Sequence, residues 1–227
     1  MPMVHDLMEE NSIKYEQLDA LACTVGPGSF TGIRIGVSAV KTMAMALTIG
    51  AVPVSSLRAM AYPLKEEEAL IVPMIDCRNH RAWAGGFYHD EEVVPECADD
   101  VDVILDACRK WRDEKLPEKK ILLIGNGAKV LSAEELPEGV EYVPDHEDIR
   151  SEDVAFIAEQ IAEKVVHDQS GKEDRTSPRT ILASAFAAVK MMPVYRAKTQ
   201  AERMAGEQGK QVENIPIRYY STMDEEK

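Results

Sequence analysis

Two spacings of apolar residues alternate along the chain. Over residues 2–11, Met3, Val4, Leu7 and Met8 recur every three to four positions, which predicts a short helix ending near Asn11 and Ser12. Residues 19–25 (DALACTV) read as a buried strand running into a Gly/Pro loop. Residues 31–49 (TGIRIGVSAVKTMAMALTI) read as a long helix with Gly50 closing its C-terminus. AVPV at 51–54 predicts a second strand, and Ser55 and Ser56 then cap a short helix reaching Tyr62. Strand, loop, helix, strand is the grammar of a parallel or mixed sheet, so the class is α/β.

Lys65, Glu66, Glu67 and Glu68 interrupt this pattern and mark a boundary between a first region, 1–68, and a second, 69–205. LIVPMID and RAWAGGFY flank Cys77, Arg78, Asn79 and His80, two extended runs around a polar turn, which predicts a hairpin. An amphipathic helix over 99–112 follows, then the strand KILLIG and a tight turn at Gly125, Asn126 and Gly127. Residues 151–166 form a helix with Ser151 as its cap and Val154, Ile157, Ala158 and Ile161 on one face. HDQSGKEDRTSPRT at 167–180 is breaker-rich and predicts a loop, followed by an Ala-rich helix over 180–191 and a polar tail over 206–227.

Composition narrows the function. With 26 Lys and Arg against 40 Asp and Glu, the 227 residues carry a formal charge of −14, which disfavours unaided binding to nucleic acid or anionic lipid. Hydrophobic residues at 45% suffice for a core, which excludes wholesale disorder. The four cysteines (Cys23, Cys77, Cys97, Cys108) show no C-x-x-C pair and read as free thiols of a reducing compartment. The five histidines form no H-x-x-x-H or H-E-x-x-H pair, so no metal site is expected. No apolar run reads as long or pure enough to span a bilayer, and the expected location is cytoplasmic.

One dense motif remains: GPGSFTG, comprising Gly26, Pro27, Gly28, Ser29, Phe30, Thr31 and Gly32, with Arg34 just beyond. Glycines permit close backbone approach, and the following helix offers free N–H groups to an anion, so a phosphate loop is one reading. The G-K-[ST] ending of a Walker loop and the G-x-G-x-x-G spacing of a dinucleotide fold are both missing. The other reading is a tight turn capped by Ser29 or Thr31 with Phe30 docked on the body. The helix behind the loop adds a separate clue. Ile35, Val37, Val40, Met43, Ala44, Met45, Leu47 and Ile49 are not confined to one stripe, so a second layer must cover it, from this chain or from a partner.

The string GPGSFTGIRIGVSAVKTMAMALTIGAVPVSSLRAMA closely resembles the signature of the bacterial TsaB (YeaZ) family. ALIVPMIDCRNHRAWAGGF, ILLIGNGA and PVYRAKTQAE are similar to later motifs of that family, so the resemblance spans about residues 1–205. It implies an actin/sugar-kinase/Hsp70-like (ASKHA) fold of two related α/β lobes, with a role in making threonylcarbamoyladenosine on tRNA. The implied role is that of an accessory subunit without catalysis or cofactor of its own. It would bind TsaD, which performs the transfer, together with the ATPase TsaE. The resemblance also implies that the first two helices pair with TsaD or with a second copy, which places Met3, Leu7, Ile35, Val40, Met43 and Leu47 near the seam. The family opens on a strand meander, whereas Met1, Pro2, Met3 and Val4 align with a stretch just before its first helix. An incomplete N-terminal lobe is therefore expected. The alternative function is a nucleotide-using ASKHA enzyme whose phosphate loop is 26–32.

Overall fold

The computed structural model describes residues 2–131, 136–170 and 177–194. Six helices and seven strands alternate along them. Helix α1 (Pro2–Glu10) leads to strand β1 (Ala20–Gly26), helix α2 (Phe30–Leu47), strand β2 (Gly50–Ser55) and the short helix α3 (Ser56–Ala61). β1 and β2 pair in parallel, Ala20 opposite Gly50 through Thr24 opposite Val54. They are the two strands of a first sheet.

The second sheet holds five strands: β3 (Leu70–Asp76), β4 (Arg81–Tyr88), β5 (Glu91–Asp100), β6 (Ile121–Ile124) and β7 (Val140–Tyr142). Their order is β5-β4-β3-β6-β7. β3, β4 and β5 form an antiparallel meander, while β6 runs parallel to both β3 and β7. The predicted hairpin is β3–β4, its turn built by Arg78, Asn79 and His80, all at positive φ. Helix α4 (Val101–Lys115) covers one face, burying Val101, Ile104, Leu105 and Cys108 against Leu70, Val72, Ala84, Ile121 and Leu123.

Period-two alternation partitions the first sheet cleanly. Leu21, Cys23 and Ala51 turn toward α2, whereas Ala20, Ala22, Val52 and Val54 turn to the other face. That other face is covered by α5 (Ser151–Ser170) and α6 (Pro178–Ala185), through Ile157, Ala158, Leu182 and Phe186. Helices from beyond residue 68 therefore share the core of the first sheet. α3 is the joint between the sheets: Ala59 packs with the first, while Leu57 and Met60 pack with Ile71, Phe87 and Ile124 of the second. Ser55 caps α3 through its Oγ, which accepts from the Arg58 N–H and also donates to the buried Glu96 carboxylate on β5. Arg58 makes a two-pronged pair with Asp90, 2.8 and 2.6 Å, so the first turn of α3 is tied to the β4–β5 hairpin twice.

Several sequence expectations are corrected. The helix predicted over 31–49 ends at Leu47, and Thr48 supplies the left-handed C-cap at φ 53°. Gly50 is instead the first residue of β2, where a Cβ would lie 2.7 Å from the Leu182 carbonyl oxygen, so helix packing demands that glycine. The helix predicted over 99–112 starts at Val101 and runs to Lys115, because Asp99 and Asp100 finish β5. Residues 167–170 continue α5 rather than opening a loop, and α6 begins at Pro178 behind the Ser177 cap. The helix predicted over 180–191 stops at Ala185, with a single 3-10 turn over Ala188–Lys190. The turn at Gly125 runs on into a 3-10 helix, Asn126–Val130. α2 is also long and apolar enough to cross a bilayer by length and composition, contrary to the sequence expectation. One face of it packs along β1, where Val37 and Ala44 are buried. PVYRAKTQAER from residue 195 onward and the polar tail lie outside the described residues.

Candidate functional site

The Gly/Pro loop between β1 and α2 is built as a turn. The Val194 N–H donates to the Val25 carbonyl at 2.7 Å, so a late segment of the chain crosses the end of β1. Gly26 sits at φ 121°, and a Cβ there would come within 2.7 Å of the Val194 oxygen. Pro27 is buried and Gly28 half-buried, while Ser29, Phe30, Thr31, Gly32 and Arg34 lie at the surface. Ser29 is the N-cap, its Oγ accepting from the Gly32 N–H at 3.3 Å and its carbonyl from the Ile33 N–H at 2.9 Å. Capping by Ser29 matches the turn reading, but Phe30 is 56% exposed rather than docked on the body. Its ring carries the Arg34 guanidinium at 3.8 Å.

The packing of α2 follows from its wheel. Ile33, Val37, Val40, Ala44 and Leu47 repeat at spacings of four and three and pack with Val25, Ile49 and Ala51. Within that stripe only Val37 and Ala44 are fully buried. The opposite side carries Ile35 at 65% exposure and Met45 at 63%, with the exposed Gly32, Ser38, Thr42 and Ala46. A Cβ added at Gly36 would meet nothing within 4 Å. At Gly32, one turn earlier, it would meet only the Ser29 side chain, 3.4 Å away, and interaxial distance is set by the side chains at a contact. In α1 only Met8 is buried, while Met3 and Leu7 are 83% and 60% exposed.

Of the six residues assigned to the seam from sequence, Met3, Leu7 and Ile35 point outward, Met43 is half-buried, and Val40 and Leu47 belong to the inward stripe. Phe30 and Met45 are also on the outer surface, though neither was assigned to the seam. Projecting residues 30–47 on a helical wheel with the 33, 37, 40, 44, 47 repeat as the core stripe would have found Met45. Elsewhere, Cys23 and Cys108 are buried enough for desolvation to push their thiols up, to about 11 and about 12, with the neighbouring Cys97 adding to the effect at Cys108. Among the described residues no three His, Cys, Asp or Glu side chains cluster to hold a metal ion.

Solved structures place this architecture in a known fold. YeaZ from Pseudomonas aeruginosa matches with a TM-score of 0.58 at 23% identity, over 72% of this chain and 76% of that one. A protein described as similar to peptidase YEAZ from Pseudomonas aeruginosa matches at 0.55 and 21%, over 86% and 82%. At such identities the likeness is one of fold. Residues 1–207 match the family described as "TsaD: tRNA N6-adenosine threonylcarbamoyltransferase", and the chain belongs to that family, on its TsaB (YeaZ) side. It is 31% identical to the tRNA threonylcarbamoyladenosine biosynthesis protein TsaB of Bacillus subtilis (strain 168), over 56% of this chain and 54% of that protein. The TsaB of Escherichia coli (strain K12) is 33% identical over 41% and 42%. The tRNA N6-adenosine threonylcarbamoyltransferase of Phocaeicola vulgatus is 30% identical over 48% and 36%. The chain spans about half the length of the curated relatives it matches, or somewhat less.

Proposed function

We propose that the chain is a non-catalytic partner subunit in the biosynthesis of N6-threonylcarbamoyladenosine on tRNA, binding TsaD and supporting it together with TsaE. The observation that carries this reading is α2: an apolar helix of eighteen residues with only Val37 and Ala44 buried. Apolar area left in water is a standing cost of about 25 cal/mol per Å², and covering it drives association. The outer stripe from Gly32 to Ala46, flanked by Phe30, suits another helix laid closely along it. In the absence of TsaD, the same surface on a second copy would serve as the partner and give a homodimer. The fold reading belongs to the same proposal: a two-lobed ASKHA chain, with the N-terminal lobe begun within 1–68 smaller than the lobe begun at 69. Its support is the contrast of two strands in one sheet with five in the other.

Ile35→Glu and Met43→Glu test the assignment, with binding to TsaD followed by calorimetry and self-association by light scattering. Each is expected to weaken TsaD binding by about tenfold or more, equivalent to about 1.4 kcal/mol. Unchanged affinity together with unchanged oligomeric mass would refute the interface. The nucleotide-using alternative has its own readout, since heat from ATP or ADP titrated into the isolated chain is expected only if the 26–32 loop holds phosphate. The Gly32 N–H at the start of α2, taken up by Ser29, speaks against that loop as an anion cradle.

A further inference from the structure

The second sheet brings two of the four cysteines to one place. β5 turns directly into α4, Asp100 being followed by Val101, so strand and helix fold back on each other at a corner. The corner is pinned where the Val101 N–H donates to the His80 carbonyl at 3.1 Å, beside the pairing of Arg81 with Asp100. From there α4 follows β4 toward its far end, where the Trp111 and Tyr88 rings lie 6.2 Å apart. Distance from the corner can therefore be compared along three elements. Cys97 is three residues back along β5 and Ala84 three residues along β4, each about 10 Å at the rise of a strand. Cys108 is seven residues along α4, again about 10 Å at the rise of a helix. All three lie at one level.

The pleat decides which side of the sheet each side chain takes. Ala84 is fully buried on the α4 side, in the cluster that holds Cys108. Cys97 is directly opposite Ala84, and residues directly opposite in an antiparallel pair share a face. Its neighbour Glu96 shows the alternation, since that carboxylate takes the Ser55 hydroxyl on the other side of the sheet. Cys97 and Cys108 thus lie beside Ala84 on the α4 face, close enough for Cys97 to help raise the Cys108 thiol. Access separates them. Cys97 is exposed on the edge strand, whereas Cys108 is fully buried. The other two cysteines are elsewhere: Cys23 lies in the first sheet beside the Met191 sulfur, and Cys77 stands at the corner, its N–H donating to the Arg81 carbonyl.

We propose that Cys97 and Cys108 form a hydroperoxide-responsive thiol pair that fastens α4 to the edge strand β5. A hydroperoxide transfers one oxygen to the exposed Cys97 sulfur, which becomes a sulfenic acid as the O–O bond breaks and an alcohol, or water, leaves. The Cys108 sulfur then attacks the Cys97 sulfur and an S–S bond forms. The sulfenic hydroxyl departs with the Cys108 thiol proton as water. The balance is two thiols and one hydroperoxide to one disulfide, one water and one alcohol or second water, with two electrons passing from sulfur to peroxide. Thiol reductants reverse it by exchange. Burial keeps Cys108 from meeting the oxidant first, which gives the pair its order. The site belongs to the second sheet and is independent of the partner reading above.

The probe is hydrogen peroxide, added in equal amount to the full chain after reduction and removal of the reductant. The chain is then alkylated with iodoacetamide in urea, digested, and read by mass spectrometry. Trypsin leaves both cysteines in one peptide, 82–109, which should be unalkylated and lighter by two hydrogens, and alkylated twice if dithiothreitol is added first. Cleavage at the aspartates between them should give two linked peptides. Cys108→Ala strands the sulfenic acid and should raise dimedone labelling of Cys97 by about tenfold or more. Cys97→Ser, at an exposed position, should leave Cys108 fully alkylated after the same treatment, and Cys77→Ser should leave the pair as reactive as before. Equal dimedone labelling of Cys97 with and without Cys108 would overturn the proposal. So would a disulfide that joins Cys97 to Cys77 or to a second copy of itself in place of Cys108.

Discussion

At the scale of single residues, the cysteines show how placement decides chemistry. Cys108 is fully buried on the inner face of α4 and Cys23 half-buried between β1 and α2, whereas Cys97 is exposed on β5. Burial raises the thiol of Cys23 from 9.0 to about 11, and that of Cys108 to about 12, because a thiolate is poorly solvated there. Raised folded-state values mean that the folded chain holds its thiol protons more tightly than the unfolded one. Their contribution to stability is therefore intact below pH 9.0 and is lost as pH rises, through about 11 for Cys23 and about 12 for Cys108. Iodoacetamide at pH 8 should alkylate Cys97 first, and Cys23 and Cys108 only at the rate of unfolding. Mass spectrometry of timed samples checks the order, and urea midpoints between pH 8 and 10.5 should fall.

At the scale of elements, two glycines of the same loop–helix unit should respond oppositely to alanine. Gly26 combines φ 121° with a carbonyl oxygen 2.7 Å from the would-be Cβ, so Gly26→Ala should destabilise by about 2–3 kcal/mol. Gly36 lies inside α2 with open space beside it, so Gly36→Ala should stabilise by about 0.5–1 kcal/mol. If a partner helix lies along the outer stripe, Gly36→Ala should at the same time weaken TsaD binding, because its methyl group projects into the open space beside the helix. A more stable chain with undiminished affinity would put the partner elsewhere. Elements of this kind were legible from sequence because one rule dominated them. α2 has a sustained apolar repeat, and β3–β4 has two apolar runs about a polar turn. β5 was not legible: EEVVPECADD mixes acidic residues with Pro95, and its pairing with β4 shifts register around Gly86, so no clean alternation survives. β7, with three residues, carries too little pattern to register. The inward stripe of α2 was hidden for the opposite reason, since apolar residues on most sides conceal which face is the core.

At the scale of the whole molecule, the net charge of −14 sets the α2 surface apart from the rest of the chain. The outer stripe of α2 between Gly32 and Ala46 has Arg34 and Lys41 as its nearby charges, the latter held by the Val189 carbonyl at 3.2 Å. Docking there removes apolar area from water, a process to which added salt is nearly indifferent. Exposed charges, by contrast, act over a Debye length of about 10 Å at 0.1 M salt but only about 3 Å at 1 M. Raising sodium chloride from about 0.05 to about 0.5 M should therefore leave TsaD affinity within about twofold if α2 carries that contact, measured by calorimetry at each salt. A TsaD affinity that falls steeply with salt would move the partner from α2 to a charged surface elsewhere on this acidic chain.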